Sequence, residues 1–385
     1  CNQPNKEGKA FRDLNANGEL DIYEDSTQSI EARIDDLLGQ MTLKEKAGLM
    51  FNAISGVGMG GGTQRVDSLI TKVNINHLDM PGMARAEQVL EHNNKLQKIA
   101  ENTRLGIPIT FYSDPRHGIR KNEMTGENRF HSWWPSELGF GAIGDEALVK
   151  EFGDIERQEY LALGIRLALH PMADLATEPR WFRTYTTFGE DANLSAKLTK
   201  AYIEGFQGEQ LGKHSVLCQT KHFPGAGPQK DGMDAHFPSG KEQVYPGGMF
   251  DYHLKPFTEG ALPAGTAQLM LYYGVPVDIT EEQVAFGYNK EIVTDLLRDS
   301  LGFKGVVCTD WALVTDNPAK PASAWGVEHL SPKERVKKII DAGVDMLGGE
   351  SCAELVVEVV KEGSITESRL DQSIRRILHD KFVLG

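Results

Sequence analysis

The sequence has no apolar stretch that approaches the roughly 18 to 20 residues needed to cross a bilayer, so we expect no membrane-spanning segment. It also has no run of basic residues, and its formal net charge is −14 at pH 7. Because nucleic acids and acidic lipid surfaces are bound through clustered lysines and arginines, neither partner is expected. A neutral substrate fits this composition better.

Cysteine is scarce as well, with four residues in a chain of 385. Cys218 and Cys308 lie inside apolar runs, where a cysteine is usually a buried thiol. The spacing of these two residues and Cys352 matches no zinc-binding pattern and gives no sign of a disulfide framework. We therefore expect neither zinc binding nor disulfide bracing by the internal cysteines.

Cys1 differs from the other cysteines because a polar run extends from it to Gly8. This arrangement is typical of a bacterial lipoprotein after its signal peptide has been removed at a lipidated cysteine. An arbitrary start of the chain is the alternative. The lipoprotein interpretation predicts a location in the bacterial periplasm or outer membrane, with the lipid on Cys1 as the attachment to the membrane.

A predicted metal-binding loop follows at residues 13–24. Side-chain oxygens occupy loop positions 1, 3, 5, 9 and 12, and Gly18 occupies position 6, as in an EF-hand calcium loop. A polar turn without a metal is the alternative. A single loop would stabilise the structure rather than sense calcium. The predicted calcium ligands are Asp13, Asn15, Asn17, Glu19, Asp21 and Glu24.

The remaining composition, 40% hydrophobic and 25% charged, is that of a globular protein with a large core. We divide the chain into a leader with the metal loop, residues 1–28, and one catalytic domain, residues 29–385. A helix is predicted over residues 30–41, and a capping box of Thr42 and Glu45 predicts the start of the next helix. Short apolar runs then alternate with amphipathic ones. Strands are predicted at 47–51, 108–114, 166–174, 215–223, 268–274, 305–311 and 345–349.

This alternation predicts an α/β fold of parallel βα units, and seven or eight units favour a TIM-type (β/α)8 barrel. Barrel enzymes hold their active sites at the C-terminal ends of the strands. The run 305–311 ends in Asp310 and Trp311, a carboxylate that can attack an anomeric carbon and an indole that can stack on a sugar. A structural aspartate that caps the following helix is the alternative.

Two other predicted strands also end in polar residues. Asp114 closes the run 108–114 and can accept hydrogen bonds from two sugar hydroxyls, unless it merely forms a turn. Lys221 and His222 lie near the end of the run 215–223. Neighbouring residues of a strand point to opposite faces, so both can reach one ligand only if the strand bends there. A core histidine with a surface lysine is the alternative.

Two arginines follow the run 166–174. The planar guanidinium group is suited to holding a pair of sugar hydroxyls or an active-site carboxylate. For Arg180 we favour a salt bridge that braces its own loop, whereas Arg183 is a candidate for the site.

Together these motifs resemble glycoside hydrolase family 3, in particular the N-terminal barrel domain of its β-glucosidase-like branch. The similarity runs from about Phe11 to the C-terminus and includes residues 41–48, 221–225 and 309–311. It implies exo-action on β-linked sugars and net retention through a covalent glycosyl-enzyme, without a cofactor for catalysis. The resemblance implies that Asp310 is the nucleophile. It also implies that the sugar is held by Asp114, Arg183, Lys221, His222, Tyr273 and Trp311.

Retention also requires a group that protonates the departing oxygen. Bacterial N-acetylglucosaminidases of the family use a His in an Asp-Ser-His or Asp-Thr-His loop, which residues 234–236 resemble with Ala235 in the middle. His236, oriented by Asp234, is therefore one candidate for the acid/base. The alternatives are a Glu from a C-terminal domain missing from this chain, a Glu from a partner chain, and Glu328.

The predicted function is that of a retaining, exo-acting β-glycosidase that removes the non-reducing terminal sugar of a β-linked oligosaccharide or glycoside. A β-glucosidase is the first prediction. A β-N-acetylhexosaminidase or a β-xylosidase of the same family is the alternative within the enzyme class. A lipoprotein that binds glycans without cleaving them is the alternative from a different class.

Overall fold

The computed structural model describes residues 2–4, 10–54, 66–79, 85–118, 121–122, 126–127, 130–316 and 320–385. Cys1, and with it the predicted site of lipid attachment, lies outside the described residues. None of the helices within the described ranges is both long and apolar enough for a membrane span.

Among the described residues, eight parallel strands form a closed barrel. Each strand pairs with the next one in the sequence, and the last strand pairs with the first. This order confirms the predicted TIM-type (β/α)8 barrel. The strands are β1 (Phe51–Ala53), β2 (His77–Asp79), β3 (Thr110–Ser113), β4 (Ile165–Ala168), β5 (Leu217–Phe223), β6 (Gln268–Leu271), β7 (Val306–Trp311) and β8 (Met346–Gly348).

Helices surround the barrel, and the main apolar core lies where they pack on the strands. The α-helices are α1 (Ile30–Gln40), α2 (Leu43–Leu49), α3 (Ala86–Glu101), α4 (Glu137–Ile143), α5 (Glu146–Ala162), α6 (Ala192–Gln207), α7 (Phe250–Lys255), α8 (Pro332–Ala342), α9 (Ala353–Lys361) and α10 (Glu367–Leu384). A one-turn helix, Val66–Ser68, and π-helical segments at Leu69–Val73, Pro256–Ala261 and Glu291–Ser300 complete the helical part.

Further short strands pair outside the barrel. Asn2–Pro4 pairs with Ala10–Arg12 and Lys121–Asn122 pairs with Gly126–Glu127, both in antiparallel fashion, whereas Glu242–Gln243 runs parallel to Val275–Pro276. The last pair joins the loop after β5 to the loop after β6, so it brings two loops of the barrel mouth together.

All seven predicted strand runs overlap a barrel strand, but the run 47–51 does so only at Phe51 and was otherwise assigned wrongly. Residues 43–49 form helix α2, and β1 begins only at Phe51. The predicted capping box starts this helix: the Thr42 hydroxyl accepts from the Glu45 N–H, and the Glu45 carboxylate accepts from the Thr42 N–H. An apolar run that joins the end of a helix to the start of a strand has no periodicity that separates the two.

Strand β2 was missed by the sequence analysis. It has three residues, His77, Leu78 and Asp79, and its ends are residue types that are common outside strands. Pairing with β1 and β3 on either side forms the strand, because the closed barrel supplies backbone partners along both edges.

The N-terminal loop is attached to the barrel domain through Tyr23, which is 1% exposed and belongs to the main core. The Tyr23 N–H donates to Asp36 on α1 at 2.9 Å, and the Arg33 side chain donates to the Tyr23 carbonyl at 3.0 Å. Residues 13–24 therefore lie against the barrel domain, with side-chain packing and hydrogen bonds between the two.

A buried carboxylate fixes the start of strand β7. Asp345 is fully buried and accepts from the Val307 N–H at 2.9 Å, from Arg298 at 2.5 Å and from Arg376 at 2.8 Å. Ser373 on α10 donates to the same carboxylate at 2.7 Å. Because a buried charge is tolerated only when it is paired and hydrogen-bonded, this cluster joins β7, β8 and α10 in one arrangement.

Candidate active site

The carboxylate of Asp310 lies at the C-terminal end of β7, where the barrel opens. The residue is 7% exposed, and its Oδ1 accepts from the Trp311 N–H at 2.8 Å. Its Oδ2 is buried and receives no hydrogen bond from the residues that the structure describes. One oxygen is therefore held in place, while the other is available to a bound substrate.

Lys221 and His222 each approach a carboxylate at this end of the barrel. The Lys221 Nζ donates to Asp114 Oδ1 at 2.7 Å, and the His222 Nε2 lies 3.7 Å from Asp310 Oδ2. The pairing of β5 with β6 shifts its register directly after Lys221, so His222 has no partner residue on β6. The predicted bend at the end of this strand is therefore present.

His222 is fixed in one orientation by Asp174, which follows β4. The His222 Nδ1 and Asp174 Oδ2 are 2.7 Å apart, and the Ala226 N–H donates to the other Asp174 oxygen at 2.6 Å. Burial, with the nearby charge of Arg183, holds the pKa of His222 well below its usual value. His222 is therefore a neutral imidazole whose Nε2 points towards the nucleophile region.

Arg183 is partly buried and lies among several carboxylates. Its Nη1 is 3.4 Å from His222 Nε2, and its guanidinium lies 5.9 Å from the centroid of the Tyr272 ring. Burial would lower the pKa of Arg183, but Tyr272, Asp234 and Asp310 together raise it. Arg183 therefore stays charged beside the candidate nucleophile.

The neighbouring Arg180 behaves differently from Arg183. It is exposed and forms two hydrogen bonds with Glu178, at 2.9 and 2.8 Å. The prediction that Arg180 braces its own loop is confirmed.

The carboxylate of Asp114 is charged because cations lie next to it. Burial would raise the pKa of Asp114, but Lys221, with Arg183 and Arg116, lowers it below the usual value. The Asp114 carboxylate is thus ionised and suited to accept hydrogen bonds from sugar hydroxyls.

Helix α5 holds the loop that carries Asp114. The Tyr160 hydroxyl donates to the Asp114 carbonyl at 3.1 Å. His117, three residues further on, lies between Glu156 and Glu159, with its Nε2 2.8 Å from Glu159. Burial would lower the pKa of His117, but the two carboxylates outweigh it and raise the pKa to about 9. This ion cluster ties the Asp114 loop to the helix at neutral pH.

Trp311 and Tyr273 form the aromatic wall beside Asp310. The Tyr273 hydroxyl donates to the Trp311 carbonyl at 2.8 Å and accepts from the Trp311 N–H at 3.0 Å. A β-carbon added at Gly348 or Gly349 would lie 2.5 to 2.7 Å from indole atoms of Trp311. The absence of side chains at these two glycines therefore makes the space that the indole occupies.

The predicted acid/base residue, His236, lies near the same wall. Its ring centroid is 4.5 Å from that of Tyr273, and its side chain is one-third exposed. The His236 Nδ1 is 2.5 Å from Asp234 Oδ1, so the aspartate orients the imidazole as predicted. The imidazole of His236 therefore lies against the Tyr273 ring and is partly open to solvent.

The loop that carries His236 is held from several sides. The Asp234 Oδ2 accepts from Trp181 Nε1 at 2.7 Å and from the Tyr272 hydroxyl at 2.8 Å. The Trp325 Nε1 donates to the Ala235 carbonyl at 2.8 Å. These donors come from three different loops or strands, and they fix the position of the His236 backbone.

Comparison with known sequences identifies the family. The sequence model of the glycosyl hydrolase family 3 N-terminal domain matches residues 34–379. The chain belongs to glycosyl hydrolase family 3. The resemblance found in the sequence is therefore confirmed.

Relatives within family 3 are longer than this chain. Beta-glucosidase C of Emericella nidulans is 48% identical over 376 residues, which cover 95% of this chain and 61% of that protein. The periplasmic beta-glucosidase/beta-xylosidase of Dickeya chrysanthemi is 41% identical over 420 residues, which cover 98% of this chain and 62% of that protein. This chain thus spans about three fifths of the length of these relatives.

A solved structure with the same fold is that of a variant of exo-1,3/1,4-beta-glucanase from a Pseudoalteromonas species. It has a TM-score of 0.76 and 24% sequence identity, and the match covers 92% of this chain and 55% of that chain. At this identity the similarity supports the barrel fold alone.

Glu328, another candidate for the acid, forms an ion pair with a lysine. Its carboxylate is half-exposed and pairs with Lys241 at 3.3 Å. Burial would raise the pKa of Glu328, but hydrogen bonds to its carboxylate and the charge of Lys241 lower it. A carboxyl group with a lowered pKa is a weak proton donor at neutral pH.

The predicted calcium ligands are close together but bond mainly to one another and to the backbone. Asp21 Oδ2 accepts from Asn15 at 2.6 Å and from Asn17 at 2.8 Å. Asp13 accepts from the N–H groups of Asn17 and Gly18, and Glu24 accepts from those of Leu14 and Asp21. No group of three or more His, Cys, Asp or Glu side chains that could hold a metal is found in the described part of the chain. Glu19 is exposed and contributes its N–H to Asn17.

The sequence analysis did not assign a role in the site to several residues that the structure places there. Asp174 closes the predicted run 166–174, and its place at a strand end was a usable signal. Tyr272 and Trp181 hold Asp234, but nothing in their spacing indicated this contact. Lys320 lies beyond β7 in a long loop and was not considered.

Proposed function

We propose that this chain is the catalytic domain of a retaining, exo-acting β-glycosidase, and that its preferred activity is that of a β-glucosidase. The observation that carries the proposal is the carboxylate of Asp310, with one oxygen held by the backbone and the other buried without a donor among the described residues. Charged or polar groups at the ends of three other strands, or in the loops that follow them, surround it. These groups are Asp114, Asp174, Arg183, Lys221 and His222.

The polar groups around Asp310 are suited to hold the hydroxyls of one sugar. Asp114 and Lys221 form one ion pair, and Arg183 lies beside His222. Such groups discriminate strongly, since a ligand without matching hydroxyls leaves buried polar atoms unpaired. The names of the Emericella and Dickeya relatives support glucose as the sugar that is released. Xylose or an N-acetylated sugar is the alternative within the family.

The proposed reaction has two steps. First, Asp310 Oδ2 attacks the anomeric carbon while an acid donates its proton to the glycosidic oxygen, so that the leaving group departs as an alcohol. Second, the conjugate base removes a proton from water, the water oxygen attacks the anomeric carbon, and the Asp310 carboxylate is released. The two inversions give net retention.

Replacement of the nucleophile tests the proposal directly. In Asp310→Asn, kcat on 4-nitrophenyl β-glucoside should fall on the order of a thousandfold or more, because the amide is a poor nucleophile. In the parent protein, a 2-deoxy-2-fluoro-glucoside should label the peptide that contains residue 310, as shown by mass spectrometry. Asp341→Asn, a surface control, should keep both properties. A label on another peptide, or full activity in Asp310→Asn, would refute the assignment.

We further propose that His236 is the general acid/base. Its orientation by Asp234 and its place against Tyr273 support this role. An imidazole is suited to proton transfer near neutral pH. The alternative source is a Glu from a further domain or a partner chain, which the greater length of the relatives keeps open.

The leaving group separates these alternatives. His236→Ala should keep turnover of 2,4-dinitrophenyl β-glucoside within about tenfold, because that leaving group needs no protonation, and should lose about 10²- to 10⁴-fold on cellobiose. Steady-state kinetics on both substrates measures this ratio. The exposed His329→Ala is the control. An equal loss on both substrates argues that the acid comes from elsewhere.

We also propose that residues 13–24 bind calcium as a structural ion. The oxygen-rich spacing supports this, as does the position of Asp13, Asp21 and Glu24 in one small loop next to Tyr23 of the core. Asn15 and Asn17 would turn their amide oxygens inward when a cation is bound, since the two amide ends are interchangeable in shape.

Calcium should raise the thermal stability of the folded chain. With millimolar calcium and a micromolar Kd, linkage gives a stabilisation of about 4 kcal/mol and an increase in Tm of several degrees over an EDTA-treated sample. Differential scanning calorimetry measures the shift, and Glu24→Gln should abolish most of it. If the parent protein melts at the same temperature with calcium and with EDTA, the loop is a turn without a metal.

We propose an extracytoplasmic location, in the periplasm or at the outer membrane, with a lipid on Cys1. The name of the Dickeya relative and the polar run after Cys1 support it. In a bacterial host that processes lipoproteins, the protein with its signal peptide should enter the membrane fraction, and Cys1→Ser should not. Cys352→Ser, a buried internal thiol, is the control. Equal fractionation of Cys1→Ser and the parent would exclude lipid attachment at this residue.

A further inference from the structure

Lys320, in the loop after β7, turns back over the candidate active site. Its Nζ donates to the His236 carbonyl at 3.2 Å and to Ser323 Oγ at 2.9 Å. The same Nζ lies 5.1 Å from the centroid of the Tyr273 ring, which is the ring that His236 also contacts. One ammonium group therefore contacts both the acid/base loop and the aromatic wall beside the nucleophile.

Lys320 interacts electrostatically with two carboxylates that have different roles in the proposed reaction. Burial lowers the pKa of Lys320, and the carboxylates of Asp310 and Asp234 act in the opposite direction. Asp310 belongs to the nucleophile strand, and Asp234 orients His236. A partly buried cation that is attracted by both carboxylates holds the two loops together more tightly than a neutral donor would.

Contacts between the loop after β7 and the loop that carries His236 show how Lys320 can affect the position of the imidazole. Trp325 and Lys320 both lie in the loop after β7, and they donate to consecutive carbonyls of the acid/base loop, those of Ala235 and His236. The loop after the nucleophile thus sets the position of the backbone that carries the imidazole. A shift of about 1 Å in a positioned catalytic group can cost on the order of a hundredfold in rate.

We propose that Lys320 is a positioning residue for the leaving-group half of the reaction, because it fixes His236 relative to Asp310. This inference rests on the proposed role of His236 as the acid/base. It assigns to Lys320, which the sequence analysis did not consider, a selective effect on substrates whose leaving group needs a proton. A loop brace without this role would affect all substrates alike.

The test compares leaving groups in matched variants. Lys320→Met removes the ammonium and keeps the aliphatic stem, Lys320→Arg keeps the charge, and Lys241→Met removes the charge of a half-exposed lysine that pairs with Glu328. Lys320→Met should lose about 10- to 100-fold in kcat/KM on cellobiose and less than about threefold on 2,4-dinitrophenyl β-glucoside. Lys320→Arg should recover most of the loss, and Lys241→Met should match the parent.

Covalent trapping shows whether the variants keep a folded nucleophile site. A 2-deoxy-2-fluoro-glucoside with a dinitrophenyl leaving group needs no acid, so its rate of labelling should be unchanged in Lys320→Met. If trapping slows as much as cellobiose turnover falls, or if neither changes, the proposal is wrong. This readout needs no assumption about His236.

His236→Ala, measured on the same substrates, separates the two proposals. If it shows the selective loss and Lys320→Met does not, the role of Lys320 is refuted while that of His236 stands. If His236→Ala shows no selective loss, the acid/base assignment fails, and the positioning role fails with it whatever Lys320→Met does.

Discussion

The burial of charge at one end of the barrel is the constraint on which the rest of the site depends. Asp174 and Asp310 are buried, Asp114 is about one-fifth exposed, and the cations Lys221 and Arg183 lie close to these carboxylates. A buried ion costs several kcal/mol unless an opposite charge and hydrogen bonds compensate it. Compensation here requires strands β3, β4, β5 and β7 and their loops to meet at fixed distances. The closed barrel brings the C-terminal ends of these strands together. The fold and the arrangement of the charged side chains therefore depend on each other.

The two carboxylates next to His222 act on it differently. Asp174 holds the Nδ1 side, and Asp310 lies 3.7 Å from the Nε2 side without a hydrogen bond to it. With the pKa of His222 lowered by burial and by Arg183, the imidazole stays neutral and does not neutralise the candidate nucleophile. Asp310 Oδ2 thus has no hydrogen-bond donor among the described residues, as attack on an anomeric carbon requires.

The sequence allowed the barrel and most of the pocket to be predicted, because both leave short-range signals. Asp114, Lys221, His222 and Asp310 were found because they are polar residues at the ends of apolar runs. Parallel strands in a barrel bring their C-terminal ends together, so these residues were expected to lie close to one another. The run 47–51 was misassigned because a helix end and a strand start share one apolar stretch. Lys320 could not be found in this way, since its contact with His236 joins residues 84 positions apart through loops without a repeating pattern.

Strand β8 and its flanking residues fix the position of β7, the strand that carries the candidate nucleophile Asp310. Asp345, just before β8, binds the Val307 N–H near the start of β7, and Glu350, just after β8, binds the Val314 and Thr315 N–H groups beyond its end. Both carboxylates are buried. Between them, Gly348 and Gly349 leave the space for the Trp311 indole. The residues that flank β8 thus fix β7 at both ends, and its glycines leave room for Trp311. Asp310 is therefore held in position before any sugar binds. The ordering of the site is therefore complete on folding, and a bound sugar would not have to supply it.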